Sequence, residues 1–307
     1  MSAPSLRFPV GRLLGAGAFS EVYEAQGFAE PAVVKVSRAQ ALTDSSATGG
    51  VFAAVALEAQ TGSFGLWDIS PSDVLAAEVT ALKKVRHPAF PSVLEDGLTP
   101  DKRRFAVMQR VAGQTWRDAL SGPNRPGLPE LRQLIEVLVA VKRELPWHGD
   151  LKPENLMLTP ERAVRVLDPV SACTQFAAGG QRTKLLASPW YNPLLLTNDV
   201  FSFGVLMLEV LGGQHPLLSA NPSAQRKVSE HLKRSLVAGR SVGLNGEILG
   251  RLTCMRTPVE LGRRSAPQLD AVALKCMGLK LADDTLDLTP PFSSLEELVP
   301  ALSTAAL

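Results

Sequence analysis

Asp150, Lys152, Asn155 and Asp168 have the residue types and the spacing that phosphoryl transfer requires. The first three lie in the run His148-Gly-Asp-Leu-Lys-Pro-Glu-Asn155, and Asp168 follows thirteen residues after Asn155. Phosphoryl transfer passes through a loose, charge-spread transition state, so a protein mainly positions the nucleophile and supplies cationic and metal stabilisation. One acid must face an incoming hydroxyl, while another acid and an amide oxygen hold a divalent metal. Asp150, Asp168 and Asn155 can fill those posts. A lone Asp or Asn in a turn-rich stretch more often bonds its own backbone. Here several suitable groups stand together.

Two upstream features extend the pattern. Gly15-Ala16-Gly17-Ala18-Phe19-Ser20-Glu21-Val22 lies between two strand-like runs, and its glycines let backbone N–H groups approach a phosphate with no β-carbon in the way. Taken alone, a G-x-G turn is more often just a tight hairpin. It is not a Walker loop, because no Gly-Lys-Ser/Thr follows. One strand later, Lys35 sits within Val33-Val34-Lys35-Val36. An ammonium among β-branched residues needs a partner or a phosphate unless it reaches water at a strand edge. Glu78 is the preferred partner over Glu58, since Leu75, Val79 and Leu82 form an inward helical face beside it.

The elements that must hold these groups are legible in the periodicity. Leu13-Leu14, Glu21–Ala25 and Ala32–Val36 read as strands, as do the runs around Val93 and Phe105–Met108. Ser70 before Pro71, with Asp73 three after the serine, starts a helix that stops before His87-Pro88. Gly113 marks a break. Beyond it Leu131, Leu134, Ile135, Leu138 and Leu145 predict a helix ending at Pro146, and Val200–Leu211 predicts a buried core helix. The long connection between Val36 and Ser70 is read as holding an extra helix over 51–60, and Thr43–Gly50 as a mobile loop. Sheet first and helices later gives an α+β, two-lobed fold with the chemistry in the cleft between lobes. The expected boundaries are an N-lobe over about 1–110, a hinge over about 109–113 and a C-lobe over about 114–307.

Composition narrows the classes. The 307 residues are 45% hydrophobic, enough for a large core, and 32 basic against 30 acidic residues leave a net charge of +2. That balance argues against nucleic acid or an anionic membrane as the main partner. Cys173, Cys254 and Cys276 are odd in number and contain no C-x-x-C pair, which fits a reducing compartment. No secretory signal or membrane span is legible, so a cytoplasmic monomer or weak dimer is expected.

In order along the chain, Gly15/Gly17, Lys35, Glu78, Asp150/Lys152/Asn155, Asp168, Ser188-Pro-Trp-Tyr191 and Asp199-Val-Phe-Ser-Phe-Gly204 resemble a serine/threonine protein kinase of the eukaryotic-like, bacterial type. The resemblance implies ATP and Mg²⁺ as cofactors and a protein as substrate. It implies that Lys35 contacts the α/β-phosphates, that Asp150 accepts or orients the substrate hydroxyl, and that Lys152 steadies the transferred group. Asn155 and Asp168 would hold Mg²⁺. Met108 would be the gatekeeper, Gln109 and Val111 the backbone contacts to adenine, and Val22, Val33 and Met157 the residues that sandwich the ring. Ser188 could bridge Asp150 and Lys152, and Asp199 would support the catalytic loop from beneath.

The departures from that family are also specific. Ser20 stands in place of a third glycine. Asp-Phe-Gly becomes Asp168-Pro169-Val170, which keeps the carboxylate, stiffens the following backbone and removes the aromatic that would stack between Leu82 and His148. Gly149 replaces the arginine that pairs with a phosphorylated activation segment, making Thr174, Thr183 and Ser188 poor candidates for obligatory switches. The glutamate of Ala-Pro-Glu and its distant arginine partner are both absent, so neither leaves a buried charge unpaired. Two other readings stay open. One is a pseudokinase scaffold or nucleotide-binding module; the other is a small-molecule phosphotransferase, for which His-Gly-Asp is also a known form.

Overall fold

The computed structural model describes residues 6–39, 55–58, 70–169, 173–177, 180–187, 191–192, 198–213, 215–216, 267–282, 285–289 and 291–305; in 55–58, 173–177, 180–187, 281–282 and 285–288 it describes the backbone only. The first lobe is built on a five-stranded antiparallel sheet. Its strands are β1 (Val10–Ala16), β2 (Ser20–Ala25), β3 (Ala32–Ser37), β5 (Val93–Leu98) and β6 (Arg104–Gln109), in the order β1-β2-β3-β6-β5. Alternation along β3 divides its faces. Val34 and Val36 join Tyr23, Phe105 and Val107 in a small outer core, while Lys35 points the other way.

Helix α1 (Pro71–Lys84) lies against the sheet, with Leu75, Val79 and Leu82 buried. Ser70 caps it as its sequence predicts, its Oγ accepting the N–H of Asp73 at 3.3 Å. The expected helix over 51–60 is corrected: Val55–Glu58 forms strand β4, which pairs antiparallel with β11 (Gly180–Ala187). β11 in turn pairs with β10 (Cys173–Ala177). The pairing supplies backbone partners that a short, weakly patterned helix would have to find within itself. Thr43–Gly50, Val170 and Ser188-Pro-Trp190 lie outside the described residues.

The later part is mainly helical. β7 (Gln114–Thr115), β8 (Leu156–Leu158) and β9 (Val164–Val166) form a small sheet beneath the cleft. The helices of this part are α2 (Trp116–Leu120) and α3 (Leu128–Ala140), which contact this sheet, and α4 (Val200–Gly212), α5 (Pro267–Cys276) and α6 (Leu298–Thr304). Helix α4 is buried on all sides from Val200 to Val210, the mark of a central core helix. α3 ends at Ala140 and not near Pro146. Its last turn tightens through Lys142 N–H to Val139 O and Glu144 N–H to Val141 O, so Leu145 is buried from a turn. The strands β12 (Leu279–Ala282) and β13 (Thr285–Leu288) make a hairpin that follows α5. Among the described residues no helix is long and apolar enough to cross a membrane.

The first lobe joins the second through Arg110–Gly113, and here a glycine is required. Gly113 has φ +124°, and a β-carbon on it would lie 2.2 Å from the carbonyl oxygen of Leu158.

Candidate active site

Strand register aligns the upper half of the site. Gly15 stands opposite Val22, Val22 opposite Lys35, and Lys35 opposite Ala106, so one row crosses four strands. Val33 stands opposite Met108 in the next row. Val22 and Val33 are half-buried, and Met108 is buried. Gly15, Ala16 and Gly17 are exposed and Ala18 is half-buried, in a turn closed by Gly17 N–H to Ser20 O at 2.8 Å. A β-carbon on Gly15 would meet nothing within 4 Å, so open space lies over this strand.

Lys35 is 6% exposed and its ammonium lies between two carboxylates, 2.7 Å from Glu78 Oε2 and 2.8 Å from Asp168 Oδ2. Helix α1 delivers Glu78 from the face that its apolar residues bury. The side chain of Glu58, the rival partner, lies outside the description. Burial alone would lower the pKa of Lys35, but the Asp168 and Glu78 charges outweigh it and raise it. Burial pushes Glu78 up to about 7 against the pull of Lys35, with the Asp168 charge adding to the rise. Asp168 is held below the usual carboxylate range: burial opposes this, and the Lys35 charge and hydrogen bond prevail.

The lower half rests on the β8–β9 hairpin. Asn155 precedes β8, Asp168 follows β9, and Leu167 N–H bonds Asn155 O at 2.8 Å, so two residues distant in sequence flank one short ladder. Asp168 adopts φ +53°, an uncommon conformation for a non-glycine residue and one stored mainly at functional sites. Pro169 behind it is buried; no aromatic ring occupies that position. Asp150 Oδ2 accepts from Lys152 Nζ at 2.6 Å and from Asn155 Nδ2 at 3.1 Å. Asn155 Nδ2 also bonds Asp150 O at 2.8 Å, which leaves its Oδ1, the atom a cation would take, outside both bonds. Burial works against the charge on Lys152, yet Asp150 raises its pKa.

The loop carrying Asp150 is anchored from below. Asp199, buried at the start of α4, accepts His148 N–H at 2.6 Å and Gly149 N–H at 3.0 Å. It uses both oxygens on the loop and none on its own helix, whose Val200 N–H is taken by Asn198 Oδ1 at 3.1 Å. His148 accepts Asp150 N–H through Nδ1 at 3.2 Å, so its neutral ring carries the proton on Nε2 and donates it to Leu167 O at 2.7 Å. Gly149 has φ +89°.

At the connection, Gln109 N–H is taken by Ser92 O at 2.9 Å, leaving at most its carbonyl for a ligand. The N–H of Val111 makes no backbone hydrogen bond among the described residues. Met157 is half-buried in β8, opposite Thr115. Among the described residues no three His, Cys, Asp or Glu side chains cluster as a metal cage. One carboxylate and one amide oxygen, completed by phosphate and water, form a donor set suited to Mg²⁺.

The sequence reading did not single out Arg117. Its guanidinium reaches Glu154 Oε1 at 2.8 Å, Glu209 Oε1 at 2.6 Å and the Tyr191 hydroxyl at 2.6 Å. Tyr191 in turn donates to Glu209 Oε2 at 2.5 Å. Burial pushes Glu209 above its ordinary value, against the pull of Arg117. This network joins α2, the loop that carries Asp150 and Glu154, Tyr191 and α4.

No family model matches the chain. Among curated proteins it is 28% identical to the serine/threonine-protein kinase pkn2 of Myxococcus xanthus over 98% of this chain and 34% of that protein. It is 26% identical to the serine/threonine-protein kinase PknB of Mycolicibacterium smegmatis over 88% of this chain and 39% of that protein. A shorter match, 25% identical over 49% of this chain and 25% of the relative, is to the serine/threonine-protein kinase max-2 of Caenorhabditis elegans. The chain thus spans between a quarter and two fifths of the length of these relatives. Its sequence similarity and its two-lobed architecture group it with the serine/threonine protein kinases.

Proposed function

We propose that the chain is a single kinase domain that transfers the γ-phosphate of ATP to serine or threonine hydroxyls of a protein. The observation that carries this reading is the Lys35 ammonium held between Glu78 at 2.7 Å and Asp168 at 2.8 Å. It sets a phosphate-seeking cation beside a carboxylate suited to metal. In this reading Lys35 contacts the α/β-phosphates, and the Gly15–Ala18 backbone covers them. Met108, Gln109 and Val111 flank the adenine, with Val22 and Val33 above it and Met157 below. Asp150 orients the substrate hydroxyl and takes its proton. The hydroxyl oxygen bonds the γ-phosphorus as the bond to the ADP oxygen breaks, and Lys152 offsets the charge on the transferred group. Asn155 and Asp168 would hold Mg²⁺, which supplies electrostatic stabilisation of the phosphate oxygens when bound. We place the domain in the cytoplasm, as a monomer or weak dimer.

A scaffold role is the second reading, favoured by buried Pro169 in place of an aromatic. The deciding experiment is transfer of labelled γ-phosphate from ATP·Mg²⁺ to the chain itself or to a generic protein, with Asp150→Asn as control. Transfer by the wild type that the variant loses supports the enzyme. Nucleotide binding with no transfer establishes the scaffold.

A further inference from the structure

Behind the connection that follows β6 lies a cavity of about 840 Å³. None of Lys35, Asp150, Asn155, Asp168 or the Gly15–Ala18 turn lines it, and it meets the proposed adenine site only at Gln109 and Val111 of the connection. Its walls come from the end of α1 and the turn after it, from the connection, and from the β8–β9 turn, so both halves of the protein contribute. The walls are tied together. Val166 N–H bonds Ala89 O at 2.8 Å across the two halves, and Ala89 N–H bonds His87 Nδ1 at 3.1 Å.

Positive charge dominates the lining: Lys83, Arg86, Arg110 and Arg165 face one acid, Glu161. Lys83 is engaged by Asp96, and Arg110 lies 3.4 Å from Glu24. The guanidinium groups of Arg86 and Arg165 make no hydrogen bond or ion pair with any described residue, in contrast to Arg104, Arg117 and Arg162, each of which holds an acid; Arg165 does lie near enough to Glu161 to add to the lowering of that carboxyl by its backbone and Thr159 hydrogen bonds. Because His87 Nδ1 accepts a hydrogen bond, the neutral ring carries its proton on Nε2 and adds a donor. Phe90 and Val93 supply apolar surface. The volume falls within the range of about 300–1,000 Å³ usual for small-molecule sites, and a guanidinium fork matches phosphate oxygens in pairs.

We infer that this cavity is a second anion site, separate from the residues proposed to hold the nucleotide phosphates, for a small phosphate-bearing metabolite held by Arg86 and Arg165 with His87 Nε2 as a further donor. One arginine comes from each half, so the ligand bridges them. The inference does not depend on phosphotransfer.

Calorimetric titration of the full chain with inorganic pyrophosphate, without metal or nucleotide, tests it. Wild type is expected to bind, Arg86→Gln and Arg165→Gln to weaken binding at least about tenfold each, and Lys102→Gln to change it less than about twofold. Circular dichroism of each variant verifies folding, and the exposed position of Arg86 makes its replacement the safer of the two. Absence of binding by wild type overturns the inference. So does loss confined to Lys35→Met, which puts the anion in the cleft, or equal weakening by Lys102→Gln, which marks a general charge effect. Binding of a phosphoserine peptide but not pyrophosphate, with the same arginine dependence, also overturns it in favour of a protein partner.

Discussion

Gly149 donates its backbone N–H to Oδ1 of Asp199 at 3.0 Å, at φ +89°. One contact therefore sets both the position of the loop that carries Asp150 and the residue type it tolerates next to Asp150. Asp199→Asn keeps the shape but offers one acceptor oxygen for two N–H donors. Replacing this charged acceptor is expected to destabilise the fold by about 1.5–3 kcal/mol and to depress phosphotransfer more than nucleotide binding. Chemical denaturation and paired kinetic assays check both expectations.

Side chains at position 149 meet backbone strain, because a left-handed residue with a β-carbon costs about 1–2 kcal/mol. Gly149→Arg is expected to lower the melting temperature, which a thermal melt checks. With no native cation there, Thr174→Ala and Thr183→Ala are expected to leave phosphotransfer within about twofold, since the charge-assisted contacts a phosphate would form lack their partner. A large loss in either alanine variant would show that another cation reads that segment.

Glu78 introduces a pH dependence whose sign can be stated. Burial raises its pKa from 4.5 to about 7 in the folded chain. A raised carboxyl contributes stability that is complete below about 4.5 and is lost as pH rises through about 7. Glu78→Gln keeps the neutral form at every pH. Between pH 5 and 8, without nucleotide, the wild type should lose stability relative to the variant; melting curves that stay parallel would mean that Glu78 is ionised throughout.

Gly113→Ala would set a β-carbon 2.2 Å from Leu158 O at φ +124°. Either the connection or β8 must move. The expected cost is about 2–4 kcal/mol, from strain and clash together, with weaker nucleotide binding because Val111 moves with Gly113. Denaturation midpoints and nucleotide titration measure the two effects.

Local chemistry explains which parts were legible in the sequence. Ser70 and Pro71 set the start of α1, the apolar face of Leu75, Val79 and Leu82 turned Glu78 inward, and alternation around Lys35 marked its strand. Each signal lies within a few residues of the feature it sets. The misreadings have the opposite character. Val55–Glu58 is a strand because β11, more than a hundred residues later, pairs with it. Leu145 is buried from a turn after α3, so its spacing imitated a longer helix. The φ of Asp168 and the three partners of Arg117 depend on tertiary placement, for which neighbouring residues carry no signal.

The Arg117 network has a consequence for how this chain can change over generations. Glu154, Tyr191 and Glu209 all bond one guanidinium, and Glu209 is buried. Loss of the arginine first leaves two acids crowded together, whereas loss of Glu209 first removes part of that conflict. The order of substitutions therefore matters, and a route that is closed in one order stays open in another. Descendants of this chain should keep the four residues together or lose them as a set.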